Sequence, residues 1–126
     1  MASLADMHLL AVDDEEVMLK MYRDYFAQKG VKLRTAASAA ATLALVTTMP
    51  VDIIIMDLKL GDESGKDLLA AVRQRHPAAR WIFVTAYATD ELVEELHGLG
   101  VYDVIKKPCT IRTIFETVEK LAQASF

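Results

Sequence analysis

Ile53-Ile54-Ile55-Met56 is a run with no polar residue, and it stops abruptly at Asp57. A strand that is apolar at every position has no solvent face. It needs cover on both sides, as in the middle of a parallel sheet. Trp81-Ile82-Phe83-Val84 repeats the pattern and stops at Thr85. Two such strands in one chain demand helices above and below them, and the remaining segments supply these. His8 to Val12 is a short apolar run ending at Asp13-Asp14. Beyond it Val17, Met18, Met21, Tyr22, Tyr25 and Phe26 recur at helical spacing, and Gly30 ends the segment. Val31 to Thr35 alternates, as a strand near a sheet edge does. Ala36 to Met49 is an alanine-rich helical stretch with Ser38 as its cap, stopped by Pro50.

Gly61 to Gly65 reads as a loop. Ser64 caps a helix that runs to His76 and is closed by Pro77. Thr89 to His97 is a short acidic helix with Leu92, Val93 and Leu96 inward and Gly98 at its end. Val101 to Ile105 is a fifth strand. Cys109 to Ala124 is the last helix, with Ile111, Ile114, Phe115, Val118 and Leu121 on one face. Strands separated by helices of this length give an α/β fold, a parallel sheet with helices on both faces and right-handed crossovers. In such sheets the site lies at the carboxyl ends of the strands.

Composition narrows the function classes. At 126 residues the chain is the size of one domain and can bury one core without staples. A single cysteine, Cys109, excludes an internal disulfide and a multi-cysteine zinc site, and fits a reducing cytoplasm. The net charge is −4 with no basic cluster, which argues against direct nucleic-acid binding. The longest charge-free stretch, about Ala36 to Val51, carries too many threonines to span a membrane, and no signal peptide opens the chain. Met1 to Asp6 and Gln123 to Phe126 read as frayed ends.

What ends each strand carries the functional argument. The first ends in Asp13-Asp14, the third in Asp57, the fourth in Thr85 and the fifth in Lys106-Lys107; the second ends in nothing distinctive. Three carboxylates, a hydroxyl and an ammonium therefore converge on one rim. Two unit charges about 4 Å apart cost roughly 4 kcal/mol at an effective dielectric near 20, so the carboxylates need neutralising. A hard dication with oxygen ligands does this, and Mg²⁺ keeps open positions for phosphate oxygens. A carboxylate is also a nucleophile toward phosphorus. Its attack on an anionic phosphoryl group needs the charge relief that the metal and Lys107 supply. Each of these features has a bland reading too. Asp13-Asp14 can simply favour a helix N-terminus, and Thr85 can simply end a strand. The set in company outweighs them.

Leu10-Ala11-Val12-Asp13-Asp14-Glu15, Ile53 to Leu58 around Asp57, Val84-Thr85-Ala86-Tyr87 and Lys107-Pro108, in this order and at strand ends, resemble the receiver domain of two-component response regulators. The resemblance spans about residues 7 to 122. It implies a doubly wound, flavodoxin-like sheet of five strands in the order 2-1-3-4-5 with five helices, and residues 1–126 as a single receiver domain. Asp57 resembles the phosphoacceptor, Asp14 the direct metal ligand and Asp13 the carboxylate that holds metal-bound water. Lys59 stands where the family uses a backbone carbonyl as a ligand. Thr85 resembles the switch hydroxyl, Ala86 the small residue beside the phosphoryl group, and Lys107 the family's lysine, with Lys107-Pro108 a cis bond. Mg²⁺ is the implied cofactor. A histidine kinase or histidine phosphotransfer protein is the implied donor. The face of the fourth helix, fifth strand and last helix is the implied output surface, toward an output domain, a partner or a second copy in a homodimer.

Two departures stand out. Val104 occupies the position of the family's frequent mobile aromatic, leaving Tyr102 or Tyr87 as stand-ins. Gly61 stands near where many members carry a proline, which suggests a more mobile loop. Lys106 reads as a solvated neighbour, Cys109 as a small apolar residue, and His8, His76 and His97 as neither donors nor ligands. Asp90, Glu91, Glu94 and Glu95 read as a solvated face with a partner role as the alternative.

Two other classes compete. An aspartate phosphatase would want a second acid two residues after Asp57, where Lys59 stands, so an enzyme turning over outside substrates is disfavoured. A flavin binder would need a phosphate-cradling loop where Asp13-Asp14-Glu15-Glu16 stands. An idle, phosphorylation-independent interaction module of the same fold draws its support from Val104. With no output domain in view, a single-domain regulator and the receiver piece of a larger protein both stay open.

Overall fold

The computed structural model describes residues 3–124 as β1 (His8–Val12), α1 (Glu16–Gln28), β2 (Lys32–Ala36), α2 (Ala39–Thr48), β3 (Ile53–Asp57), β4 (Lys59–Leu60), β5 (Glu63–Ser64), α3 (Gly65–Arg75), β6 (Arg80–Thr85), α4 (Asp90–Gly98), β7 (Asp103–Lys106) and α5 (Ile111–Gln123). Five strands make one parallel sheet in the order β2-β1-β3-β6-β7. With the small β4–β5 hairpin set aside, this is the order 2-1-3-4-5 that the resemblance implies.

The apolar strands divide their side chains between two cores, as the period of two requires. Leu10, Val12, Ile54, Met56, Trp81 and Phe83 pack with Val46 of α2, Leu68, Leu69 and Val72 of α3, and Leu96 of α4. Leu9, Ala11, Ile53, Ile55, Ile82 and Val84 pack with Leu19, Tyr22 and Phe26 of α1 and Ile114, Phe115, Val118 and Leu121 of α5. Covering both faces is what lets Ile53 to Met56 of β3 and Trp81 to Val84 of β6 dispense with polar residues. The Phe26 and Phe115 rings meet edge to face at 5.1 Å and lock α1 to α5. The Trp81 indole is fully buried, and its Nε1 has no hydrogen-bond partner among the described residues.

Helix starts follow local chemistry. Ser38, Ser64, Thr89 and Thr110 each accept a hydrogen bond from a first-turn N–H of α2, α3, α4 and α5. Ser38 and Ser64 cap as the sequence suggests. The last helix starts at Ile111, two residues after the expected Cys109, because Thr110 takes the cap. The α1 face is also turned from the sequence reading. Leu19 is buried, whereas Val17 is 75% and Met21 40% exposed. The expected loop at 61–65 contains β5, paired antiparallel with β4 in a hairpin whose turn residue Gly61 has a φ of +58°. The ends are better ordered than frayed: Leu4–Asp6 form a 3-10 turn and Gln123 lies within α5, while Met1, Ala2, Ser125 and Phe126 fall outside the described residues. Among the described residues no helix is long and apolar enough to cross a membrane.

Candidate functional site

Strand register decides what meets at the rim. Val12 lies opposite Met56, Asp57 opposite Val84, and Thr85 opposite Lys106. The residues that follow Val12 and Lys106 therefore reach the same end of the sheet as Asp57 and Thr85. Asp13, Asp14 and Asp57 each present a carboxylate oxygen within 4.8 Å of the others. Lys107, just past β7, donates to Asp57 Oδ2 at 3.2 Å and to Asp13 Oδ2 at 3.3 Å. Its own backbone N–H donates to the Thr85 carbonyl at 2.8 Å, and the Lys107-Pro108 bond is cis.

Each carboxylate is held from behind. Asp13 is 1% exposed and accepts the Glu15 N–H on Oδ1 at 2.9 Å. Asp57 Oδ1 accepts the Lys59 N–H at 3.4 Å. Asp14 is exposed, and its Oδ2 accepts the Gly61 N–H at 3.0 Å. Thr85 is buried, and its Oγ1 accepts the Tyr87 N–H at 3.0 Å, so the hydroxyl proton remains free to donate. Ala86 is exposed beside Lys107, Pro108, Glu15 and Met18 on a cleft of about 370 Å³.

The electrostatics describe a site short of positive charge. Burial pushes Asp57 above the ordinary carboxylate value; Lys107 pulls against this and Asp13 adds to it. Burial works against the Lys107 ammonium, but Asp57 and Asp13 outweigh it and hold the lysine above its usual value. The two shifts agree once both carboxylates are counted, since they share one ammonium. A hard cation bound through oxygens fits this deficit and this donor set.

Other residues take supporting places. The Tyr22 hydroxyl is held neutral, first by burial and then by the negative charge of Asp13 and its neighbours. Burial raises the Cys109 thiol despite Lys107, in keeping with an apolar role. Lys106 is exposed. His76 Nε2 bonds the Val46 carbonyl and His97 Nδ1 the Val101 carbonyl, so both serve the scaffold. Glu95 of α4 pairs with Lys66 of α3 at 2.9 Å on the surface. Val104 is half-buried and packs against the α2–α4 side of the core.

One residue of the site carries little signal in the sequence. Gly65 opens α3, where a Cβ would lie 2.6 Å from the Asp57 carbonyl oxygen and 3.1 Å from Leu58 Cα. Its N–H donates to the Leu58 carbonyl at 2.7 Å. The signal was a glycine in the first turn of a capped helix, where it is a poor helix former.

Residues 9–119 match the family described as response regulator receiver domain. The alginate biosynthesis transcriptional regulatory protein AlgB of Pseudomonas aeruginosa is 33% identical over 102 residues, which are 81% of this chain but 23% of that protein's length. A response regulator from Burkholderia pseudomallei, solved with a phosphorylated aspartic acid, calcium ion and citrate, is 26% identical with a TM-score of 0.82; 93% of this chain and 69% of that one are covered. A CheY-like receiver domain protein from Methanospirillum hungatei is 27% identical with a TM-score of 0.84, covering 92% and 93%.

Proposed function

The chain belongs to the response regulator receiver domain family, and on that premise we propose that Asp57 is the aspartate that takes the phosphoryl group in a two-component phosphorelay. A receiver domain is a signalling module, so the chemistry is performed on the chain itself. The donor is a histidine kinase or a histidine phosphotransfer protein. An Asp57 carboxylate oxygen attacks phosphorus, and the phosphorus–nitrogen bond of the donor phosphohistidine breaks. The imidazole nitrogen leaves with the electron pair and takes up a proton.

Asp13, Asp14, Asp57 and the Lys59 backbone carbonyl would hold the divalent metal, with Mg²⁺ as the working ion. When bound, it supplies charge neutralisation at the phosphoryl oxygens. Lys107 already contacts Asp57 and is placed to hold a phosphoryl oxygen. Thr85 keeps a free hydroxyl proton for another, and Ala86 leaves room beside it. Once Asp57 is phosphorylated, the Thr85 hydroxyl turns to the phosphoryl group, draws on the segment through Tyr87 and reshapes the α4, β7 and α5 face toward an output domain, a partner or a second copy. A phosphoryl group shifts that equilibrium only because it bonds differently in the two states. With Val104 in place, no ring at that position takes part. Hydrolysis of the aspartyl phosphate by water resets the domain, at a rate that depends partly on Lys59 and Tyr87. Residues 1–126 act as one receiver domain working in the cytoplasm.

The reading rests most on one observation: the Lys107 ammonium bridges Asp13 and Asp57 inside a cluster of three carboxylates. Incubation with Mg²⁺ and acetyl phosphate, followed by intact mass, tests it. The parent is expected to gain one phosphoryl mass, Asp57→Asn none, and a chelator to abolish the gain. No gain in a parent that still binds Mg²⁺ would favour the idle interaction module, to which Val104 lends its one argument.

A further inference from the structure

We infer that Gly61 is a positioning residue for the metal site: its backbone N–H holds Asp14 in the orientation from which the carboxylate takes a divalent cation. The inference rests on the proposed metal reading and extends it to a residue with no side chain. Asp14 differs from its two neighbours. Asp13 is buried and bonded on both oxygens, by Glu15 and Lys107, and Asp57 is held by Lys59 and Lys107. Asp14 is exposed, has no cation partner among the described residues, and is tied by the Gly61 N–H at 3.0 Å across 47 residues of chain. Without that bond, an exposed aspartate beside two like charges would rotate away into water. With Oδ2 engaged, Oδ1 remains for a metal.

The donor holds Asp14 and does not merely follow it, because the β4–β5 hairpin is anchored on every side. Leu60, next to Gly61, is 3% exposed in the core. Glu63 accepts the Ala39 N–H at the start of α2 at 3.3 Å, and Ser64 caps α3. The Gly65 N–H closes the base on the Leu58 carbonyl. The turn itself needs Gly61, whose φ of +58° suits few residues other than glycine, asparagine and aspartate. A proline there has no N–H to give. Hydrogen-bonded partners of metal-ligating carboxylates typically change metal affinity 10–100-fold when removed.

The experiment uses the full chain, labelled with ¹⁵N, first in chelator and then titrated with Mg²⁺. Dissociation constants are compared for the parent, Gly61→Asn, Gly61→Ala and Gly61→Pro, with circular dichroism confirming the fold of each. The Gly61 amide resonance is expected to shift saturably with Mg²⁺. Gly61→Asn keeps the N–H and tolerates the left-handed backbone, so its affinity stays within about 3-fold of the parent. Gly61→Pro loses the donor and binds about 10-fold more weakly. Gly61→Pro binding as tightly as the parent would overturn the inference. So would a loss as large in Gly61→Ala, which keeps the N–H but strains the left-handed turn, since turn shape and not the N–H would then be what counts. A parent showing no saturable shift at any amide would instead overturn the metal reading itself.

Discussion

Asp57→Asn should make the metal-free protein more stable, and Mg²⁺ should reverse the ranking. In the parent three carboxylates face one ammonium. At 4.8 Å and an effective dielectric near 20, each like-charge pair costs roughly 3.5 kcal/mol. Lys107, 3.2 Å from Asp57, returns about 5 kcal/mol on the same scale. Neutralising Asp57 removes two repulsions and one attraction, a gain of about 2 kcal/mol; solvent screening at exposed Asp14 trims it to about 1–2 kcal/mol. In a domain of this size that raises the melting temperature by roughly 5 °C. The sign of the pH dependence follows from the raised Asp57 value. A carboxyl whose folded pKa lies above its unfolded one destabilises the fold as pH rises through that interval. The gap between Asp57→Asn and parent should therefore close as pH falls toward the ordinary carboxylate range. With Mg²⁺ at about 100 times its dissociation constant, the parent should gain about 2.7 kcal/mol and overtake the variant, which lacks one of the proposed ligands. Thermal unfolding in chelator and in Mg²⁺, from pH 4 to 8, measures all of this. A lower melting temperature for Asp57→Asn in chelator would refute the reasoning, because it would mean that Lys107 already balances the site.

Two further substitutions probe the same rim. Lys107→Ala strands Asp13 and Asp57 without their ammonium, so it should cost about 2–4 kcal/mol in chelator and slow phosphorylation by acetyl phosphate, read by denaturant unfolding and by the rate of mass gain. Gly65→Ala drives a Cβ to within 2.6 Å of the Asp57 carbonyl oxygen, where backbone has to move; a loss of about 1–3 kcal/mol with slowed phosphorylation is expected, and parental values for both would show that the α3 start yields freely.

Much of this molecule is legible in the chain because its signals are long. Ile53 to Met56 and Trp81 to Val84 announce strands buried on both faces, and the register then carries Asp13, Asp57, Thr85 and Lys107 to one rim with no further information needed. Short or tertiary signals were lost. The β4–β5 hairpin has two-residue strands, too short for any period to show. The buried face of α1 is set by which residues meet Phe115 and the sheet, so Leu19 goes inside while Val17, equally apolar, stays in solvent. Gly61 stands where many of the family carry a proline, and its N–H reaches Asp14 across 47 residues, a tie that no local pattern shows. No local pattern shows that Gly65 lies against the Asp57 backbone.

The bridge from Lys107 to Asp13 and Asp57 spans 94 and 50 residues of chain. On a ribosome the acidic residues emerge first and their ammonium last, after the β7 edge has been made. Closing so long a loop is slow, and nothing rewards it until β7 docks. A nascent or nicked chain therefore carries the carboxylates without the cation that balances them. The balanced rim is thus a property of the fully docked sheet and of no shorter piece of it.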